Sequence, residues 1–193
     1  MQRSCGTLSS GGLVSRVWLL LVAMVATIAL TGCAGPGLDD YSGMEPSLTP
    51  QEFFTGELSA RGVVKNRSGE VIRTFDADIS ASWDDQGVGT LDEVFRFNDG
   101  EVQTRVWTLT PNGDDSLHAD AGDVVEPGTM RWQGNAINMN YVLRVAYGDD
   151  DDTIDVNMDD WMYLVTPDTL INETSMTKWG FNVGEIVLVI QKQ

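Results

Sequence analysis

Between Val71 and Trp83 the side chains alternate in character along the chain. Val71, Phe75, Ala77, Ile79, Ala81 and Trp83 fall on one face, and Thr74, Asp76, Asp78, Ser80, Ser82 and Asp84 on the other. A period of two turns one face of a strand to a core and the other to water, which no helix does. Ile137, Met139, Tyr141, Leu143, Val145 and Tyr147 repeat the pattern, as do Ile154, Val156, Met158, Met162 and Leu164. Residues that tolerate tight turns separate the runs: Asn66-Arg67-Ser68-Gly69, Asp84-Asp85-Gln86-Gly87, Asn98-Asp99-Gly100, Pro111-Asn112-Gly113-Asp114, Glu126-Pro127-Gly128, Gly148 to Asp152 and Pro167-Asp168. These signals give about ten strands, near 58–65, 71–83, 89–97, 102–110, 116–125, 129–134, 137–147, 153–165, 169–177 and 185–192. No segment after Gly56 has the apolar spacing of a three-turn helix.

Sequential hairpins with nothing between them form an antiparallel meander. Left open, so large a sheet would have two bare edges and one uncovered apolar face; closure removes both problems. The expectation is an all-β fold whose meander closes into a lipocalin-like β-barrel of about ten strands. A two-sheet sandwich, which also buries alternate residues, is the second architecture. Ahead of the strands, Thr49-Pro50-Gln51-Glu52 reads as a short helical turn. Thr49 is its N-cap, Pro50 its first residue and Glu52 the closing member of a capping box. Phe53-Phe54 then lay a phenylalanine over one end of the domain.

The N-terminal 32 residues carry Arg3 and Arg16, no acid, and an apolar run of 14 residues from Val17 to Leu30. That run is short of the ~20 residues a membrane-spanning helix needs, and it ends in small residues, as a secretory signal does. Leu30-Thr31-Gly32-Cys33 resembles a bacterial lipobox, in which cleavage precedes a cysteine that becomes acylated. The expected organisation is a signal peptide at 1–32, a Gly-, Pro- and Asp-rich tether at 33–48 and a single domain at 49–193. With Cys5 in the leader and Cys33 lipidated, no disulfide forms in the mature chain. Removing the two leader arginines from the 12 basic residues leaves 10 against 29 acids. Such an acidic surface repels nucleic acid and anionic headgroups. The membrane partner is therefore reached through the acylated Cys33.

Catalytic chemistry has little to work with. His118 is the sole histidine, so histidine triads and multi-histidine metal sites are excluded, and it reads as a structural strand residue. Asp149-Asp150-Asp151-Asp152 lacks the spacing and closing glutamate of a calcium loop and reads as a solvated hairpin tip. No metal or cofactor is expected. More telling are charges in the apolar phase of a strand: Arg73 with Phe75 and Ile79, Glu93 with Leu91, Phe95 and Phe97, Arg105 with Trp107 and Leu109, and Asp160 between Met158 and Met162. Buried charge is costly unless paired, so these four should meet one another, water or a ligand, with Arg73 and Arg105 the natural partners of Asp160. Arg73, Glu93, Arg105, Trp107 and Asp160 are the candidate ligand-binding residues.

The stretches Asp159-Asp160-Trp161-Met162-Tyr163-Leu164 and Trp179-Gly180-Phe181-Asn182-Val183-Gly184-Glu185, with Gly122-Asp123-Val124 and Thr90-Leu91-Asp92-Glu93, resemble a proteobacterial lipoprotein family, domain of unknown function 3833. The resemblance spans nearly the whole mature chain and implies a lipoprotein of a Gram-negative envelope. It assigns no catalytic residue. By similarity to Gram-negative lipoproteins, Ala34 after the cysteine implies sorting to the outer membrane. Three functions then compete. A tethered barrel rich in methionine and aromatics holds a hydrophobic or amphipathic small ligand; a side-chain-filled barrel binds an envelope partner; an enzyme would rely on carboxylates such as Glu93 and Asp160, which no motif supports. The expectation is the first, a non-enzymatic binding protein, and a hollow interior is what separates it from the second.

Overall fold

The computed structural model of the chain describes residues 35–113, 115–146 and 152–193. A 3-10 turn at Leu38–Tyr41 and a helical turn α1 at Pro50–Phe53 precede ten strands: β1 Gly56–Asn66, β2 Val71–Trp83, β3 Gly89–Phe97, β4 Val102–Pro111, β5 Ser116–Asp120, β6 Gly128–Gln133, β7 Ala136–Ala146, β8 Thr153–Thr166, β9 Thr169–Lys178 and β10 Phe181–Lys192. Each strand pairs antiparallel with its sequence neighbours. β10 returns to β1, from Leu58 opposite Lys192 to Asn66 opposite Gly184, and closes the barrel. Closure leaves no free sheet edge, the reason a barrel prevails over a sandwich for this meander.

The alternation works as read along β2, where Ala77, Ile79 and Ala81 are buried and Asp76, Asp78 and Ser80 exposed. Val71 departs from it: at 49 % exposure it lies past the end of the packed wall. Gly62 on β1 shows how tight the wall is. A Cβ there would come within 2.6 Å of both Leu188 Cβ and Phe75 Cζ, so the missing side chain lets the Phe75 ring lie across the strand.

The two ends of the barrel differ. The β2–β3, β4–β5, β6–β7 and β8–β9 connections share one end with α1, which immediately precedes β1. Leu48, Phe53 and Phe54 plug that end, each only 2 % exposed. The plug is pinned by two hydrogen bonds, from Trp83 Nε1 to the Phe54 carbonyl (2.6 Å) and from Lys192 Nζ to the Glu52 carbonyl (2.7 Å). At the opposite end lie the β1–β2, β3–β4, β5–β6 and β9–β10 connections. There the Trp179–Gly180 turn, with both residues at positive φ, leaves Trp179 and Phe181 exposed.

Four sequence expectations need correction. Thr49 is the N-cap and Pro50 the first residue of α1, but the Thr49 side chain makes no capping bond; the plug contacts hold the turn instead. The tether expected over 33–48 is not free along its length. The Leu38–Tyr41 turn docks on β6 and β7, Tyr41 packs its ring at 5.5 Å from those of Trp161 and Tyr163, and Leu48 N–H donates to the Gly134 carbonyl at 2.8 Å. Gly134 is required there, because a Cβ would meet the Tyr41 carbonyl oxygen at 1.8 Å. β5 ends at Asp120 rather than near 125, since residues 121–127 leave the ladder and fold against β7 through Val125 N–H to the Val142 carbonyl and Arg144 N–H to the Asp123 carbonyl. β10 starts at Phe181 rather than near 185, because a bulge between Asn182 and Gly184 absorbs the irregularity and pairing continues to the turn. The leader, Cys33 and Asp149–Asp151 lie outside the described residues. Among the described residues no helix is long and apolar enough to cross a membrane.

Candidate functional site

The inner faces of the strands do not meet across the barrel. They surround a cavity of about 620 Å³, within the range of pockets that enclose a small organic ligand. Its floor is the plug, reached through Phe54, Leu109 and Ile190. Its mouth is bounded by Arg73, Glu101, Gln103 and Arg144. The walls are mainly apolar, with five methionines (Met130, Met139, Met158, Met162 and Met176) and a Phe75–Phe95–Phe97 cluster of ring-centroid separations between 5.6 and 6.4 Å. Methionine's flexible thioether adapts to varied shapes, so these walls can close around more than one hydrocarbon outline.

A polar band crosses the cavity at mid-height. On β3, Glu93 follows buried Leu91 on the floor side and precedes Phe95 on the mouth side; on β8, Asp160 lies between Met162 and Met158; on β9, Asn172 and Thr174 lie between Leu170 and Met176. Glu93 is 8 % exposed, Asp160 4 %, Asn172 5 % and Thr174 3 %. All five candidate residues, Arg73, Glu93, Arg105, Trp107 and Asp160, line this one cavity.

Their pairing differs from the expected one. Among the described residues Asp160 meets no arginine directly. Its Oδ1 accepts from the Thr174 hydroxyl and, at 3.4 Å, from Asn172 Nδ2, and the Tyr141 hydroxyl faces it as a further donor. Arg105 instead donates to Asp123 from Nε at 3.0 Å and from Nη2 at 2.8 Å. Arg73 sits at the mouth, with Nη2 2.9 Å from Asp99 Oδ1 and 2.8 Å from Glu101 Oε2, and its guanidinium 3.7 Å above the Phe97 ring. Neutral donors supply hydrogen bonds to this buried carboxyl in place of a cation, so the β8 phase was right while the partner was not.

Glu93 is the least satisfied member. It stands opposite Arg105 in the β3–β4 register, yet among the described residues it has no ion pair, and the Trp107 indole N–H is the one donor turned toward it. Burial pushes its carboxyl up to about 7, against the opposing pull of Arg105 and Trp107, with Asp160 and Asp123 adding to the rise. Burial likewise raises Asp160, against the hydrogen bonds from Thr174, Tyr141 and Asn172. Tyr141, its ring 5.2 Å edge-to-face from Trp107, is held well above the usual phenol range by burial and by Asp160. Desolvation works against the Arg105 charge, but Asp123 and Glu93 outweigh it and raise its pKa.

Sequence reasoning missed Asn172, Thr174, Tyr141 and Asp123 as members of the site. The first two were legible: Leu170, Asn172, Thr174 and Met176 share the inward phase of β9, so two polar residues break an apolar row. Tyr141 was read only as part of an apolar face. Asp123 carries no phase signal, because it sits on the segment that leaves the ladder. His118 is exposed on β5 and takes no part. Among the described residues no group of His, Cys, Asp or Glu has the arrangement of a metal site.

Several solved structures share the fold. The S-type phycobiliprotein lyase CpeS from Guillardia theta superimposes with a TM-score of 0.54 at 14 % identity, over 82 % of this chain and 99 % of that one. A protein of unknown function from the DUF3598 family of Nostoc punctiforme gives 0.55 at 17 % identity, over 83 % of this chain but 53 % of that longer chain. At these identities the likeness shows the fold alone. No curated protein matches the sequence. Residues 27–192 match the family described as a protein of unknown function, DUF3833, and the chain belongs to that family.

Proposed function

We propose that this protein is an outer-membrane lipoprotein, anchored through Cys33 in a Gram-negative envelope, whose barrel binds a hydrophobic or amphipathic small molecule without transforming it. The observation that carries the reading is the cavity: about 620 Å³, open at one end, apolar above and below a buried polar band. A barrel built only to present an outer surface to a partner gains nothing from a hollow interior. Empty apolar volume forfeits packing contacts and destabilises the fold. It also gains nothing from Glu93 and Asp160 within that interior, since each buried carboxyl is costly. Both costs fall when a ligand fills the space.

The likeness to a lyase does not make this chain an enzyme, because one fold hosts many activities. The polar band offers two carboxyls, a phenol, an amide and a hydroxyl, and its hydroxyl and phenol act as hydrogen-bond donors to Asp160. Mass spectrometry of small molecules extracted from protein purified under mild conditions tests the reading. A single amphiphile class in near-stoichiometric amount is expected. Extracts free of such a molecule, together with no binding of an environment-sensitive fluorophore to the purified barrel, would overturn it.

A further inference from the structure

We propose that the ligand enters with a cationic nitrogen, an amphipathic amine whose ammonium group sits between Glu93 and Asp160 while its hydrocarbon lies along the methionine-lined wall. The inference rests on the ligand-binding reading and narrows it to a class of headgroup.

The charges around the cavity support this class. Arg73 and Arg144 belong to the mouth, where Asp99, Glu101 and Asp155 pair them. Arg105, from the β4 wall, is already gripped by both Asp123 oxygens. Two carboxyls then remain in the band, Glu93 from β3 and Asp160 from β8, each more than nine-tenths buried. Glu93 has no ion-pair partner among the described residues. An anionic headgroup would meet these two acids and Asp123 against one neutralised guanidinium. An ammonium ion supplies what the band lacks: positive charge, and several hydrogen-bond donors in a place crowded with acceptors. The groups facing Glu93 (Arg105, Trp107, Asp160, Asp123) and those facing Asp160 (Thr174, Asn172, Tyr141, Arg105) include no second free cation to compete. Apolar walls on both sides of the band require the remainder of the ligand to be hydrocarbon. The nitrogen can belong to a free alkylamine or to the amino headgroup of a single-chain lipid, since both offer the same chemistry.

Gly37–Gln193 forms one compact unit containing all ten strands and the core, so the barrel is suited to measurement without its leader. Binding of dodecylamine, dodecanol, dodecanoic acid and lysophosphatidylethanolamine is measured by displacement of an environment-sensitive fluorophore at about pH 8, where both partners are charged. Dodecylamine should bind about tenfold or more tighter than dodecanol, and dodecanoic acid weakest, because a desolvated charge pair contributes strongly. Glu93→Gln should lower dodecylamine affinity about tenfold or more and so erase the preference for amine over dodecanol. Asp160→Asn should reduce it too, and circular dichroism of each variant checks the fold. Lysophosphatidylethanolamine binding that also depends on Glu93 identifies the nitrogen as a lipid headgroup; binding of dodecylamine alone identifies a free amine. If dodecanol or dodecanoic acid binds as tightly as dodecylamine, the amine assignment is overturned and the amphiphile reading stands. If none of the probes binds, both are overturned.

Discussion

Glu93 is where pH acts on this molecule. Its carboxyl holds a proton up to about 7, against 4.5 for an unperturbed glutamate, so the folded chain binds that proton more tightly than the unfolded one. Stability from this group is complete below about 4.5 and is lost as pH rises to about 7, an effect on the order of 3 kcal/mol. Asp160 is shifted in the same direction by its burial and adds to the slope. In the ligand-free barrel, Glu93→Gln should flatten this part of the profile and raise the melting temperature at pH 8 relative to the parent, with little difference at pH 4. A denaturation series across that range checks it, and an unchanged slope would show that Glu93 is solvated. The identity of these acids was legible from strand phase alone. Their partners were not: Thr174 and Asn172 come from another strand, and Asp123 from a segment without alternation. One sequence shows which face a side chain takes, but not which residue it meets across a cavity.

At the scale of elements, the plug decides whether the barrel is a cup or a tube. α1 is too short to be stable alone. What holds it is the burial of Leu48, Phe53 and Phe54 together with the bonds from Trp83 and Lys192. Phe54→Ala should cost about 3–5 kcal/mol, as loss of a buried aromatic does, and should open the cavity floor. Chemical denaturation measures the first effect, and faster release of a bound fluorophore measures the second. A loss under about 1 kcal/mol would mean that the floor closes over the gap. The strands themselves were largely legible, because alternation and turn residues are local signals. The ends of β5 and β10 were not, since residues 121–127 are drawn off by β7 and the Asn182–Gly184 bulge is stabilised by pairing with β9. The docking of the Leu38–Tyr41 turn also escaped the sequence. Its Gly, Pro and Asp residues have the composition of a linker, and only the tertiary surface around Gly134 and Tyr163 turns them into a lid flange.

For the whole molecule, the proposed attachment to a membrane rests on one covalent feature, the acylation of Cys33. Cys33→Ala is expected to move the protein from the membrane to the soluble fraction with an unchanged circular dichroism spectrum. Continued sedimentation with membranes after confirmed leader removal would show a second attachment. The docked N-terminal segment then acquires a further meaning. β2 has 13 residues, which even at a barrel strand's tilt gives a wall about 30 Å high. The segment joins the barrel beside the β6–β7 turn, at the plugged end. A goblet closed at its foot fills and empties only at its lip. Cargo in this one would be loaded and surrendered at the open lip, opposite the end against which the docked N-terminal segment lies.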